Sequence, residues 1–200
     1  MGWWKLDEGQ GTIAVDWSGY GRHGGLIGNP KWVPGFDGGA LDFDGQDYVD
    51  TGYSEDLAKY TISCWVKSPD APDAGSASGP LHRDQNYQFN WNHSDVIYRG
   101  AAAMSVGGTW YAASFGPLEA DTWYHLAATY DKKIFKTYED GILITSKTTL
   151  GRSGDPNAET NSLKLGRHAA SEQFFTGTVD DVRVYNRALS DDEIAELAGQ

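Results

Sequence analysis

The feature that most constrains this chain is its patterning: short runs of strand-like residues, many alternating between apolar and polar, recur between turn signals along its length. Such runs fall at Trp3–Leu6, Gly39–Phe43, Tyr48–Val49, Tyr60–Lys67, Tyr87–Trp91, Ala101–Val106, Thr109–Phe115, Trp123–Tyr130, Ile134–Glu139, Ile142–Lys147, Ser162–Leu165 and Gly177–Tyr185. In Tyr60–Lys67, Ile62, Cys64 and Val66 share one face while Thr61, Ser63, Trp65 and Lys67 share the other, as the two-residue strand period requires. Asp140-Gly141 and Gly107-Gly108 stand between paired runs and read as two-residue hairpin turns. Helical character is confined to the C-terminus, where Ser190 and Glu193 have capping-box spacing and Ile194 and Leu197 follow on one face. Many short strands and one late helix predict an all-β chain, an antiparallel two-sheet sandwich of jelly-roll type with a short C-terminal helix. Asp16–Gly38, Ser68–Pro80 and Gly151–Asn161 read as long irregular connections. With no linker composition and no internal repeat, residues 1–200 read as a single domain.

Composition narrows the partners. The chain has 200 residues, is 40% hydrophobic, and carries a formal net charge of −12, with 8 Trp and 11 Tyr among them. That is apolar enough for a packed core, and acidic enough to disfavour nucleic acid and anionic membrane surfaces. Cys64 stands alone, so neither an internal disulfide nor a cysteine zinc site is available. No apolar run reaches the roughly 18 residues that a spanning helix needs, so membrane insertion is not expected. Met1-Gly2 leads directly into strand-like sequence with no signal peptide, which suggests a module excised from a larger protein.

An ordered set of segments resembles the laminin-G-like, concanavalin-A-like jelly-roll domains common in bacterial extracellular proteins. The segments are Trp4–Gly9, Asp16–Gly24, Gly39–Gly45 with Tyr48-Val49, Tyr60–Val66, Trp123–Tyr130, Tyr138–Gly141, Leu165-Gly166 and Gly177–Ser190. The resemblance runs nearly end to end. It implies the same sandwich, a secreted or cell-surface location, and a monomer carried within a multidomain parent. It leaves the ligand open, because such folds host many functions. Two departures are visible: Cys64 stands where the family more often has alanine, and Leu81–Gly100 is unusually rich in His, Arg, Asn, Trp and Tyr.

Calcium enters through the same resemblance. Hard cations take roughly six to eight oxygens from carboxylates and carbonyls. The glycine-rich turn after Asp16 and the acidic pair Asp180-Asp181 supply such groups, and strand alternation expects one of that pair to face inward. The resemblance implies a structural calcium held by Asp16 and Asp181, with carbonyl help from Arg22 and from the region of Gln46 and Asp47. Read from the residues alone, Asp16 equally caps a turn, and Asp180 and Asp181 equally pair with Arg183 or Arg187.

Sugar recognition joins aromatic faces to planar polar groups that read hydroxyls. His82, Arg83, Asn90, Trp91, Asn92, Arg99, Trp110 and His168 are the candidate ligand residues on the concave sheet, with His93 and Tyr98 in the same cluster. Tyr87, Phe89 and Trp91 share one strand face and Gln88 and Asn90 the other, so one face packs inward while the other presents amides. Arginines there admit an acidic sugar as readily as the amides admit a neutral one. Closely alternating strand carboxylates of the glycosidase kind are missing, as are the Gly-x-Ser-x-Gly, phosphate-loop and His-Glu-x-x-His motifs. The expected function is a non-catalytic module binding a polysaccharide or oligosaccharide. The alternatives are an adhesion or spacer module that meets protein, and a lyase or hydrolase of the same fold.

Overall fold

A computed structural model describes residues 1–73, 78–92, 99–149, 154–169 and 171–199. In chain order the elements are β1 (Gly2–Trp4), β2 (Ile13–Ala14), β3 (Gly24–Ile27), β4 (Lys31–Pro34), β5 (Gly39–Asp44), β6 (Tyr48–Asp50), β7 (Tyr60–Lys67) and β8 (Leu81–Arg83). They continue with β9 (Tyr87–Asn90), β10 (Ala101–Val106), β11 (Thr109–Ser114), β12 (Tyr124–Tyr130), β13 (Ile134–Glu139), β14 (Ile142–Thr148), β15 (Lys164–Leu165), β16 (Thr176–Tyr185) and α1 (Asp191–Leu197). Two eight-stranded antiparallel sheets result. One has the order β14-β13-β12-β7-β16-β5-β4, with β1 added alongside β16; the other has the order β11-β10-β9-β8-β15-β6-β3-β2. This is the jelly-roll sandwich expected from the patterning.

The core lies between the sheets. Ile62, Cys64 and Val66 of β7, Leu126 and Ala128 of β12, and Val179, Val182 and Val184 of β16 form one wall. Val49, Leu81, Tyr87, Phe89, Met104 and Leu165 of the second sheet form the other. Each wall comes from alternate positions, so every second side chain is left for an outer face. The two hairpin turns hold as read: Asp140 and Gly141 have φ of 48° and 81°, and Gly107 and Gly108 have 56° and 75°, the positive pairs that a tight hairpin needs.

Helix α1 starts at Ser190, whose side chain accepts from Glu193 N while the Glu193 carboxylate takes the Ser190 N–H. Its Ile194 packs with Ala127 and Tyr138 on the outer face of the first sheet. Among the described residues no helix packs on the outer face of the second sheet.

Three expectations are corrected. The stretch Asp16–Gly38 contains β3 and β4, which paired glycines and a short edge strand hid from the pattern. Strand β8 lies inside what read only as a polar cluster. Asp180 and Asp181 do not divide between inside and outside. A register shift between Asp180 and Arg183, with Asp181 at φ 46°, inserts an extra residue, so that Val179 and Val182 both reach the core and neither acid does. Asp180, only 1% exposed, instead accepts the N–H groups of Phe36 and Asp37 at 2.9 and 3.2 Å. Of the remaining irregular stretches, 74–77 and 151–153 fall outside the described residues.

Candidate functional site

Register alone assembles a row on the outer face of the second sheet. Asp50 of β6 pairs with Lys164 of β15, Lys164 with His82 of β8, His82 with Gln88 of β9, Gln88 with Ala103 of β10, and Ala103 with Ala112 of β11. Cross-strand partners share a face, so the row lies on the side away from the core. Asn90, two residues beyond Gln88, joins it and pairs with Ala101. The small alanines give a flat floor beside the amides and the imidazole.

His82 is fully buried, and its Nδ1 accepts the Ala169 N–H at 3.3 Å. Its ring lies 3.7 Å from that of His168. Burial, then the neighbouring His168, holds the His82 pKa well below the usual imidazole range, and burial lowers His168 as well. Gln88 Nε2 donates to Asn90 Oδ1 at 3.3 Å. Among the described residues, His82 Nε2, Gln88 Oε1 and Asn90 Nδ2 are buried without a hydrogen-bond partner. An unpartnered buried polar atom costs about 1–3 kcal/mol, so three on adjacent strands mark a place built to meet something polar.

Of the candidate ligand residues, the structure brings together His82, Asn90 and His168. Trp110, 51% exposed, stands on the same face at its β11 edge, opposite Ser105. The others lie elsewhere. Arg83, one residue past His82 and of opposite parity, is fully buried and salt-bridged to Asp56 at 2.7 Å, donating also to the carbonyls of Ser54 and Glu159. Trp91 has the parity of Phe89 and joins the core, its indole N–H held by the Asp70 carbonyl at 2.9 Å. Asn92 closes a loop through Asp73 N and Ser78 Oγ. Arg99 is exposed and its charge acts on Glu139, in the other sheet. His93 and Tyr98 lie outside the described residues. Gln88 and Asp84 belong with the site and were not among the candidates; the alternation that pairs Gln88 with Asn90 was the available signal for the first.

His82, Asp84 and His168 offer ligand atoms within 4.8 Å of one another, a spacing that raises the question of a metal. The grouping does not fit one held through His82. Its Nδ1 lone pair is taken by an N–H, which places the ring proton on Nε2 and leaves neither nitrogen free to coordinate.

The calcium set fares similarly. Asp16 Oδ1 accepts from Trp3 N at 3.1 Å and Ser18 N at 2.9 Å, and Oδ2 from Arg22 N at 3.0 Å. Burial pushes this carboxyl up, but those hydrogen bonds outweigh it and hold it below the usual range. The Arg22 carbonyl accepts the Trp4 indole N–H at 3.0 Å. Asp181 binds Arg183 at 2.9 Å and the Trp3 indole N–H at 2.7 Å. Gln46 belongs to the β5–β6 turn, its N–H on Asp44 Oδ1. The oxygens of Asp16 and Asp181 and the Arg22 carbonyl thus face N–H donors in this arrangement, while the contact given for Gln46 is its own N–H.

A cleft of about 260 Å³ also opens on the outer face of the first sheet, over Trp65, with Phe36 stacked on the indole at 3.4 Å. Several of its charged groups are engaged: Asp181 with Arg183, Asp7 with Gly39 N, and Lys5 against the rings of Trp3 and Trp17.

Comparison with known proteins agrees with the fold. Residues 43–195 match the concanavalin A-like lectin/glucanases superfamily, and the chain belongs to that family. Domain 4 of AbnA, an extracellular arabinanase from Geobacillus stearothermophilus solved in complex with arabinotriose, superposes with a TM-score of 0.76 at 20% identity, covering 98% of this chain and 97% of that one. The binding domain of Paraclostridial Mosquitocidal Protein 1 also has a TM-score of 0.76, at 16% identity over 98% of this chain and 51% of its own. Adhesion G-protein coupled receptor V1 of Danio rerio is 25% identical over 149 residues, 72% of this chain but 2% of the receptor. The chain thus spans a very small part of that curated relative. Among the described residues no helix is long and apolar enough to cross a membrane.

Proposed function

We propose that this member of the concanavalin A-like superfamily is a non-catalytic carbohydrate-binding module, displayed outside the cell as part of a larger protein. Its ligand face is the outer face of the second sheet. The observation that carries the reading is that His82 Nε2, Gln88 Oε1 and Asn90 Nδ2, buried and without a partner among the described residues, share one face of adjacent strands beside Ala101 and Ala103. Hydroxyl groups satisfy such atoms, and Trp110 at the edge offers a ring face. The arabinotriose complex of a similar domain, and the ganglioside dependence of cell entry by the neurotoxin in another similar structure, support the same direction. A face that exchanges water hydrogen bonds for sugar ones gains little net, so the affinity per module is micromolar to millimolar, about −8 to −4 kcal/mol.

A glycan array tests this. The chain binds a defined glycan set without releasing products; Gln88→Ala weakens that binding by roughly tenfold, and Arg99→Ala leaves it unchanged. Binding lost with Arg99 and kept without Gln88 would place the site elsewhere, and product release would make the chain an enzyme.

The second reading is an adhesion module that meets protein. The consecutive exposed side chains Ile142, Leu143 and Ile144 on edge strand β14 favour it. An empty array with substitutions on β14 abolishing a protein contact would select it.

A further inference from the structure

We infer that this face takes a neutral, hydroxyl-bearing saccharide and not a uronate or a sulfate ester; the inference rests on the carbohydrate-binding reading above. The hydrogen-bonding sense of each unpartnered atom is fixed. Gln88 Nε2 is committed to Asn90 Oδ1, which leaves Gln88 Oε1 as an acceptor and Asn90 Nδ2 as a donor. The Ala169 N–H on His82 Nδ1 puts the ring proton on Nε2, a second donor. Two donors and an acceptor on neighbouring strands suit hydroxyls, which give and take at once. A carboxylate or sulfate only accepts, and would set lone pairs against Gln88 Oε1.

Charge points the same way. An anion drawn out of water needs a cation or a full set of donors. Among the described residues, the cations beside this face are engaged. Lys164 is salt-bridged to Asp50, and the Arg167 guanidinium lies 4.9 and 5.2 Å from the rings of Tyr48 and Phe174 with its Nε on the Ser171 carbonyl. Arg83 is turned away toward Asp56. His82 supplies no charge, since a proton added to it would sit buried, 3.7 Å from a second imidazole.

Affinity electrophoresis of the full chain decides the matter. One set of gels contains arabinan, xylan or galactomannan, the other polygalacturonate, alginate or chondroitin sulfate, each run at low and high salt. The expected result is retardation by a neutral polymer, equal at both salts because no ion pair is screened, and reduced at least roughly tenfold in Asn90→Ala. Should that variant not fold, the salt series on the unaltered chain gives the answer. Retardation by anionic polymers alone, fading with salt, overturns the inference and leaves the carbohydrate-binding reading standing. Neutral retardation indifferent to a folded Asn90→Ala overturns the assignment to these atoms. No retardation in any gel overturns the reading itself.

Discussion

Parity decides the fate of single residues here. His82 and Arg83 are adjacent, both polar and both buried, yet one faces the amide row and the other turns to Asp56 and the face of Tyr87. The alternation that separates Gln88 and Asn90 from Phe89 was readable in the sequence. The strand identity of Leu81–Arg83 was not, because three residues are too few to show a period, and without it Arg83 looked like a ligand residue. The same holds for Trp91: its amphipathic ring suits a sugar, but its parity is that of the core. Arg83 is therefore predicted to act on stability alone. Arg83→Met keeps most of the stem packing and removes a buried guanidinium that serves Asp56 and two carbonyls. The cost is about 3 kcal/mol, the low end for breaking a buried pair, and thermal denaturation should register a fall on the order of 10 °C. Glycan affinity of the folded fraction should stay unchanged; an affinity loss with an unaltered melt would return Arg83 to the ligand face.

At the scale of elements, the hairpins and the capped helix were legible because their signals are local: two residues at positive φ, or a Ser and a Glu three apart. The bulge in β16 was not, since an inserted residue leaves no compositional mark, and it overturned the inward–outward division of Asp180 and Asp181. Neither acid enters the core between the sheets, but Asp180 is still buried, held by the Phe36 and Asp37 N–H groups. The turn after Asp16 is closed by N–H groups from Trp3, Ser18 and Arg22, and the bond from Trp3 pins it to β1. Hence a chelator should leave the melting temperature unchanged. Asp16→Ala should lower it by several degrees, and equally so with or without added calcium. A chelator-induced drop that Asp16→Ala abolishes would restore the calcium site implied by the family resemblance.

The whole molecule combines two opposite linkages. Burial lowers His125 to about 4, and His82 and His168 are lowered as well. The unfolded chain therefore binds more protons than the folded one between about pH 4 and 6.5, and stability from these groups rises with pH across that window. Burial pushes Asp180 up to about 6 against the pull of the Asp37 and Phe36 N–H groups, and Asp47, Asp84, Glu139 and Asp140 are raised in the same sense. There the folded chain binds more protons, from the ordinary carboxylate range up to about pH 6, and stability falls as pH rises. The slopes oppose over nearly the same interval, so the unaltered chain should melt at a similar temperature throughout it. Asp180→Asn keeps an oxygen for the Phe36 and Asp37 N–H groups and abolishes the buried ionisation. Compared with the parent it should melt at the same temperature near pH 4 and a few degrees higher at pH 7, with a more upward slope between, because one of the linkages that oppose the histidines is gone. Melting curves taken at half-unit steps of pH give the comparison directly. If Asp180→Asn instead proved less stable at pH 7, the charged carboxylate itself would be what holds the β4–β5 turn against β16.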